Sequence, residues 1–317
     1  MKSLQSLVIL WCILLGAIGS PVSINNHING KRGLEVKGNE IILVNTNTGA
    51  TKKIATVSED NQKWITKHTE KMKKRNIPFI SAVTAYYDYM PLGDGNKPET
   101  IAEIHFWPPK ADDKKQQEIM KKKLDAAKVA FKKTDAYKNL KKYIEELMKT
   151  TGVTKIVGLG CGSLNDFNPF SEKIQEEHHA RSYIQLAVLL TMQEEINSGP
   201  EVILQDPTYG ENEINFMTKY SSNGGIKVLN DPDAFDTIDR KTIFFNIGGY
   251  DGFWYRVNEG PTPVAIISGA LNVPVECMMK PQAELIAKYT KPQQVAPVGT
   301  EGLSIQEPTI FWTRASK

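Results

Sequence analysis

From Lys155 onward, short apolar runs alternate with longer amphipathic stretches. "KIVGLG", "EVILQDP", "IKVLND" and "TIFFNIGG" are each apolar and β-rich, and each ends at glycine or acid. Between them lie "EKIQEEHHARSYIQLAVLLTMQEEI", opened by Ser171 and stopped by Gly199-Pro200, and "ENEINFMTKYSS", stopped by Gly224-Gly225. Serine caps a helix start, and a Gly-Pro pair cannot continue one. Strand–helix–strand repeats with continuously apolar strands predict a parallel sheet covered on both faces. The expected fold class is α/β, with a Rossmann-like, methyltransferase-like, mostly parallel sheet over residues 151–317.

The preceding part of the chain reads differently. Residues 39–57 carry two apolar runs around "NTNTG", a hairpin pattern. Ser58 caps a predicted helix over "EDNQKWITKHTEKMKKR", acidic at its start and basic at its end as the helix dipole favours. "FISAVTAYYDYM" and "TIAEIHFWPP" read as two strands about a glycine- and proline-rich turn. Residues 111–150 are helical and rich in lysine, with a predicted buried stripe of Ile119, Leu124, Ala127, Phe131, Leu140, Ile144 and Leu147. Residues 33–150 therefore form an N-terminal α+β extension. The lysines are interleaved with Asp125, Asp135, Glu145 and Glu146, the pattern of a solvated helix face.

The first residues are expected to be processed. Lys2, the apolar run "LVILWCILLGAIG" and small residues at Ala17 and Gly19 have the layout of a secretory signal peptide, residues 1–19. The run is short for a bilayer span. Residues 20–32 form a candidate pro-segment ending in the dibasic pair Lys31-Arg32. The mature protein is thus expected outside the cell and off the membrane.

Charge then loses its force as evidence. The whole chain carries +3, but Lys2, Lys31 and Arg32 lie in the processed segment, leaving 36 basic against 36 acidic residues. Net charge gives no support for nucleic-acid binding. Of three cysteines, Cys12 leaves with the signal peptide, and Cys161 and Cys277 are expected to stay reduced. His178 and His179 are helix neighbours about 100° apart and cannot share a metal. His68 and His105 have no partners at ligand spacing, so no metal site is expected.

Candidate chemistry gathers at the strand ends. In an open parallel sheet, ligands bind beyond the C-terminal ends of the strands. There the sequence places Gly158, Gly160 and Gly162 with Ser163, then Asp206, then Asp231. Glycine lets a phosphate or sugar approach the backbone, and a carboxylate suits two ribose hydroxyls. An adenine-containing ligand, S-adenosylmethionine or another adenine nucleotide, is the candidate cofactor. The pattern also departs from a working cofactor loop. It is Gly-x-Gly-x-Gly, the helix begins only after "SLNDFNPF", and Asp206 lies 46 residues beyond Gly160, against about 20 in the dinucleotide fingerprint. The alternative task for Asp206 is to brace the turn before Pro207 and Tyr209.

The order of "VGLGCGSL", "RSYIQLAVLLTM", "VILQDPTYGENEINFM" and "GIKVLNDPDAFDTIDRKTIFFNIGG" resembles the domain named for "sensitivity to red light reduced", most closely its fungal branch. "GPTPVAIIS" and "IQEPTIFWTR" are similar to that branch too. By position, Gly158, Gly160, Ser163, Gln185, Asp206 and Pro207 match the recurring residues of such domains. The resemblance implies a Rossmann-type sheet and a regulatory role in light, clock or stress signalling, with no settled reaction. Where plant-type members carry Pro-His-Cys after the fourth strand, this chain has "NIGGYDGF". Two readings follow: a secreted regulatory or effector-type binding protein with an unidentified protein partner, or a transferase using an adenine cofactor. "GLGCGS" is close to the glycine loop of S-adenosylmethionine-dependent methyltransferases, which usually carry an acid in the strand just before it; Ile156 and Val157 stand there instead, and this, with the extracellular route, favours the first.

Overall fold

The computed structural model describes residues 32–37, 39–45, 48–57, 80–88, 99–107, 113–150, 152–165, 172–197, 199–220, 225–247, 253–268, 280–294, 299–300, 303–304 and 310–314, with scattered helical positions between 59 and 74. Ser58, Ser171 and Cys277, named above, lie outside the described residues, as do residues 1–31.

The N-terminal runs pair into an antiparallel sheet of β1 (Arg32–Lys37), β2 (Glu40–Asn45), β3 (Thr51–Thr56), β4 (Ile80–Asp88) and β5 (Glu99–Trp107). Its order is β3-β2-β1-β4-β5. The expected hairpin turns where Asn45 Oδ1 accepts from the Thr48 N–H at 3.1 Å and Gly49 takes φ 70°.

The lysine-rich region is two helices, α1 (Lys114–Phe131) and α2 (Asp135–Thr150). Asp113 caps α1 by accepting from the Lys115 and Gln116 N–H groups. Thr134 Oγ1 accepts from the Tyr137 N–H at 3.2 Å and starts α2. The buried stripe of α1 is Met120, Leu124 and Phe131. Ile119, expected on it, is exposed; with α1 running from Lys114, Met120 is the position that turns inward.

Five parallel strands follow: β6 (Lys155–Leu159), β7 (Glu201–Gln205), β8 (Ile226–Val228), β9 (Thr242–Asn246) and β10 (Ala265–Ser268). They alternate with α3 (Glu172–Glu195), α4 (Glu211–Tyr220), α5 (Asp233–Asp236) and α6 (Phe253–Glu259). After α7 (Lys280–Ile286), β11 (Tyr289–Gln294) and the later β14 (Ile310–Arg314) complete the sheet, separated by the small pair β12 (Gly299–Thr300) and β13 (Leu303–Ser304). The order is β11-β14-β10-β9-β6-β7-β8, with β14 antiparallel to both neighbours. This is the mostly parallel, Rossmann-like sheet the sequence predicts. The order reverses between β6 and β9, the switch point where such sheets bind ligands.

Strand alternation divides the core in two. Ile156, Val202, Leu204, Ile243, Phe245 and Ile267 pack with α1, α2, α3 and α4 on one face. Val157, Leu159, Ile203, Phe244 and Ile266 pack with α5, α6 and α7 on the other. Residues 182–193 of α3 are all buried, because the sheet covers one side and α1 and α2 the other. A helix enclosed on both sides is apolar around its circumference. The helices at 114–150 thus share the core of the parallel sheet. Ion pairs fasten this layer: Lys132 to Glu194 at 2.8 Å, Lys128 to the same carboxylate, and Lys141 to Glu195 at 2.9 Å. Among the described residues no helix is long and apolar enough to cross a membrane.

Candidate functional site

The loop after β6 is shaped by glycine at two positions. Gly160 and Gly162 adopt φ 69° and 77°, a region that residues with a Cβ rarely enter. The Gly160 N–H donates to the Gln205 carbonyl at 2.9 Å, carrying the β6–β7 ladder past the end of the strand. The Gly162 N–H donates to Asp206 Oδ2 at 2.6 Å. Gly158 differs: it lies within β6, and a Cβ there would sit 2.4 Å from Leu189 Cδ1 of α3 and 3.0 Å from Leu204 Cδ2. Its missing side chain lets α3 approach the strand.

Two carboxylates hold the loop from the β7–α4 turn. Asp206 accepts from Gly162 N–H with one oxygen, and from the Thr208 N–H (2.9 Å) and hydroxyl (2.6 Å) with the other. This is the turn-bracing geometry of aspartate ahead of proline. Three of its roughly four acceptor positions are thereby used. Glu213 of α4, fully buried, is the second. Its Oε1 accepts from the Ser163 hydroxyl at 2.9 Å and from the Leu164 N–H, and its Oε2 from the Gly210 N–H at 2.9 Å. Ser163 Oγ accepts in turn from the Asn165 N–H at 3.2 Å. Sequence reasoning missed Glu213. Its only local signal is an acid in the first turn of a helix behind a glycine.

Cys161 lies inside this arrangement, buried and not disulfide-bonded. Burial, then the nearby Asp206 charge, push its thiol well above the usual range, against a hydrogen bond to Tyr209 that acts the other way. Burial likewise raises the Tyr209 hydroxyl. A thiol held protonated is a poor nucleophile or metal ligand. Among the described residues no cluster of histidine, cysteine and acid could hold a metal ion.

The other predicted residues are distributed as follows. Gln185 lies on α3, buried, one helical turn from Ser182 and from Leu189, the residues nearest the missing side chains of Gly162 and Gly158. Its Oε1 has no hydrogen-bond partner among the described residues. Asp231, beyond β8, is 3 % exposed and accepts from Arg256 Nη1 of α6 at 2.5 Å. The Arg256 guanidinium also lies 3.5 Å from the Phe235 ring centroid. The structure therefore joins Gly160, Gly162, Ser163 and Asp206 into one braced loop. Asp231 belongs to a separate ion pair between the turn after β8 and α6.

A doubly wound, mostly parallel sheet with a glycine turn after its first parallel strand defines a Rossmann-like α/β protein. Residues 120–251 match the family model of the SRR1 domain, named for sensitivity to red light reduced. The match takes in most of α1, all of α2 and the sheet through β9. No curated protein and no solved structure matches the chain.

Proposed function

We propose that this SRR1-domain protein is a regulatory binding protein without a reaction of its own, exported by its N-terminal leader and acting outside the cell or as an effector in a host. The observation that carries the reading is how the acids of the strand ends are used. Asp206, Asp231 and Glu213 all bond protein donors, across the glycine loop, the β7–α4 turn and α6. A cofactor site uses its acids on the ligand; here they tie loops together. The Pro-His-Cys segment of plant-type members is replaced by "NIGGYDGF", which takes away two residue types that acid–base or nucleophilic chemistry would draw on. The family supports a regulatory role.

Two measurements test this. N-terminal sequencing of material from the culture medium should give a chain starting after Gly19 or at Gly33. Purified mature protein with labelled S-adenosylmethionine should transfer no methyl group to itself or to added protein and small-molecule acceptors. Turnover, or a chain retained in cells with Met1 intact, would sink the reading.

A further inference from the structure

We propose that β5 is a docking edge for a second copy of this chain, and that two copies join β5 to β5 antiparallel about a two-fold axis at Ile104. One continuous sheet then runs through the five-stranded sheets of both copies. The proposal goes beyond the regulatory reading and does not rest on it.

A strand at the end of a sheet presents a row of unpaired N–H and C=O groups. Proteins blunt such edges with lysine, proline, irregular pairing or short length. The two larger sheets have four end strands, β3 and β5 in one and β11 and β8 in the other. Three of them carry these devices. β3 holds Lys52 and Lys53, both exposed, and its pairing with β2 shifts between Ile41 and Ile42. β8 is three residues long with the exposed Lys227 at its centre. β11 contains Lys291 and Pro292, and its pairing with β14 shifts between Thr290 and Gln293.

β5 has none of them. Its nine residues, "ETIAEIHFW", include no lysine, arginine, proline or glycine. It pairs with β4 without a shift, from Trp107 opposite Ile80 to Glu99 opposite Asp88, and among the described residues β4 is its one neighbour. A long, regular edge rich in β-branched and aromatic residues is suited to receiving another strand.

The charges of β5 select a second copy and set its register. With the two-fold axis at Glu103, that carboxylate would oppose its own copy, and like charges directly opposite are destabilising. An axis one residue further, at Ile104, opposes Glu103 with His105 of the second copy and His105 with its Glu103. An imidazole has an N–H to donate to a carboxylate whether neutral or protonated. The same register opposes Ile101 with Trp107, Ala102 with Phe106 and Ile104 with itself. From residue 101 to 107 every pair is then apolar or complementary in charge, the combinations that stabilise neighbouring strands. The contact is self-complementary, so each pair off the axis occurs twice and the assembly closes as a dimer.

The test is analytical ultracentrifugation of the mature full-length chain from low to high micromolar concentration. Wild type should show a monomer–dimer equilibrium. Glu103→Lys sets a cation against the imidazole at both symmetric positions and should weaken the dimer about tenfold or more. Adding His105→Glu to Glu103→Lys restores opposite charges in the same register and should recover most of the lost affinity. Hydrogen exchange of wild-type peptides covering 99–107 gives a reading that needs no variant. It should slow as the dimer forms, while peptides covering 51–56 at the other edge keep their rate. A wild type that stays monomeric, a dimer indifferent to Glu103→Lys, a double variant no tighter than the single one, or exchange at 99–107 that does not slow each overturns the proposal. The regulatory reading keeps its own tests of export and methyl transfer.

Discussion

Removing the Glu213 carboxylate should loosen the loop after β6 more than any other single change in its surroundings. The carboxylate is fully buried and takes the Leu164 and Gly210 N–H groups and the Ser163 hydroxyl. In Glu213→Ala these donors lose their acceptor inside the core. An unpaired buried donor costs about 1–3 kcal/mol, and losses within one network are not additive. A total of about 3–5 kcal/mol is reasonable for breaking such a network. At about 2–3 °C per kcal/mol for a chain of this size, the melting temperature should fall by roughly 6–15 °C. Glu213→Gln is the sharper variant because it keeps the shape. Its amide nitrogen must face a donor, Gly210 N–H or the Leu164–Ser163 pair, so it should lose about 1.5–3 kcal/mol, the worth of one charge-assisted bond. Calorimetric melting gives the totals. Hydrogen exchange of peptides covering 160–165 and 208–214 locates them, and both should open faster in the variants. If Glu213→Ala melts within about 3 °C of wild type, the network is worth less than one ordinary hydrogen bond, and the argument for a braced loop fails.

Gly158→Ala should destabilise by about 1–3 kcal/mol, the range for overpacking, because its Cβ would meet Leu189 Cδ1 at 2.4 Å. An unchanged melt would show that α3 does not press on β6. The second expectation concerns acid. Burial pushes the Glu194 carboxyl up, but Lys128 and Lys132 outweigh it and hold it below the ordinary value of 4.5. A carboxyl depressed in the folded state contributes fully above its unfolded value and loses that contribution as pH falls through the folded one. The gap in melting temperature between wild type and Glu194→Gln should therefore be largest near neutral pH and close below about pH 4.5; a gap constant with pH would remove the ion pairs as its cause.

The fold was legible where physics acts locally. β6, β7 and β9 are short apolar runs cut off by glycine or acid, and burial of both sheet faces makes their central positions apolar on both sides. The helix at 172–195 was legible from its length and its Gly-Pro stop. What sequence could not supply were partners far along the chain. Glu213 meets Leu164, 49 residues away, and Asp231 meets Arg256, 25 residues away. Read locally, the first is a helix-dipole acid and the second a free acid at a strand end. Ile119 and Met120 are both apolar neighbours, so choosing the buried one needed the true start of α1.

The glycines show why the same letters serve two purposes. Gly160 and Gly162 are required by their positive φ, and Gly162 also by the space Ser182 fills, 2.4 Å from where its Cβ would be. Gly158 is required by Leu189. Each glycine is thus explained by contacts within the protein, with no phosphate needed. A nucleotide loop selects glycine for access to the backbone; here the backbone N–H of Gly162 is already directed at Asp206 and that of Gly160 at Gln205. A sheet of this kind still has its switch point, whatever the loop is doing. Buried polarity is costly unless paired, and on the α3 side the loop's carboxylates are engaged by the loop's own donors, Asp206 by Gly162 and Glu213 by Leu164 and Ser163.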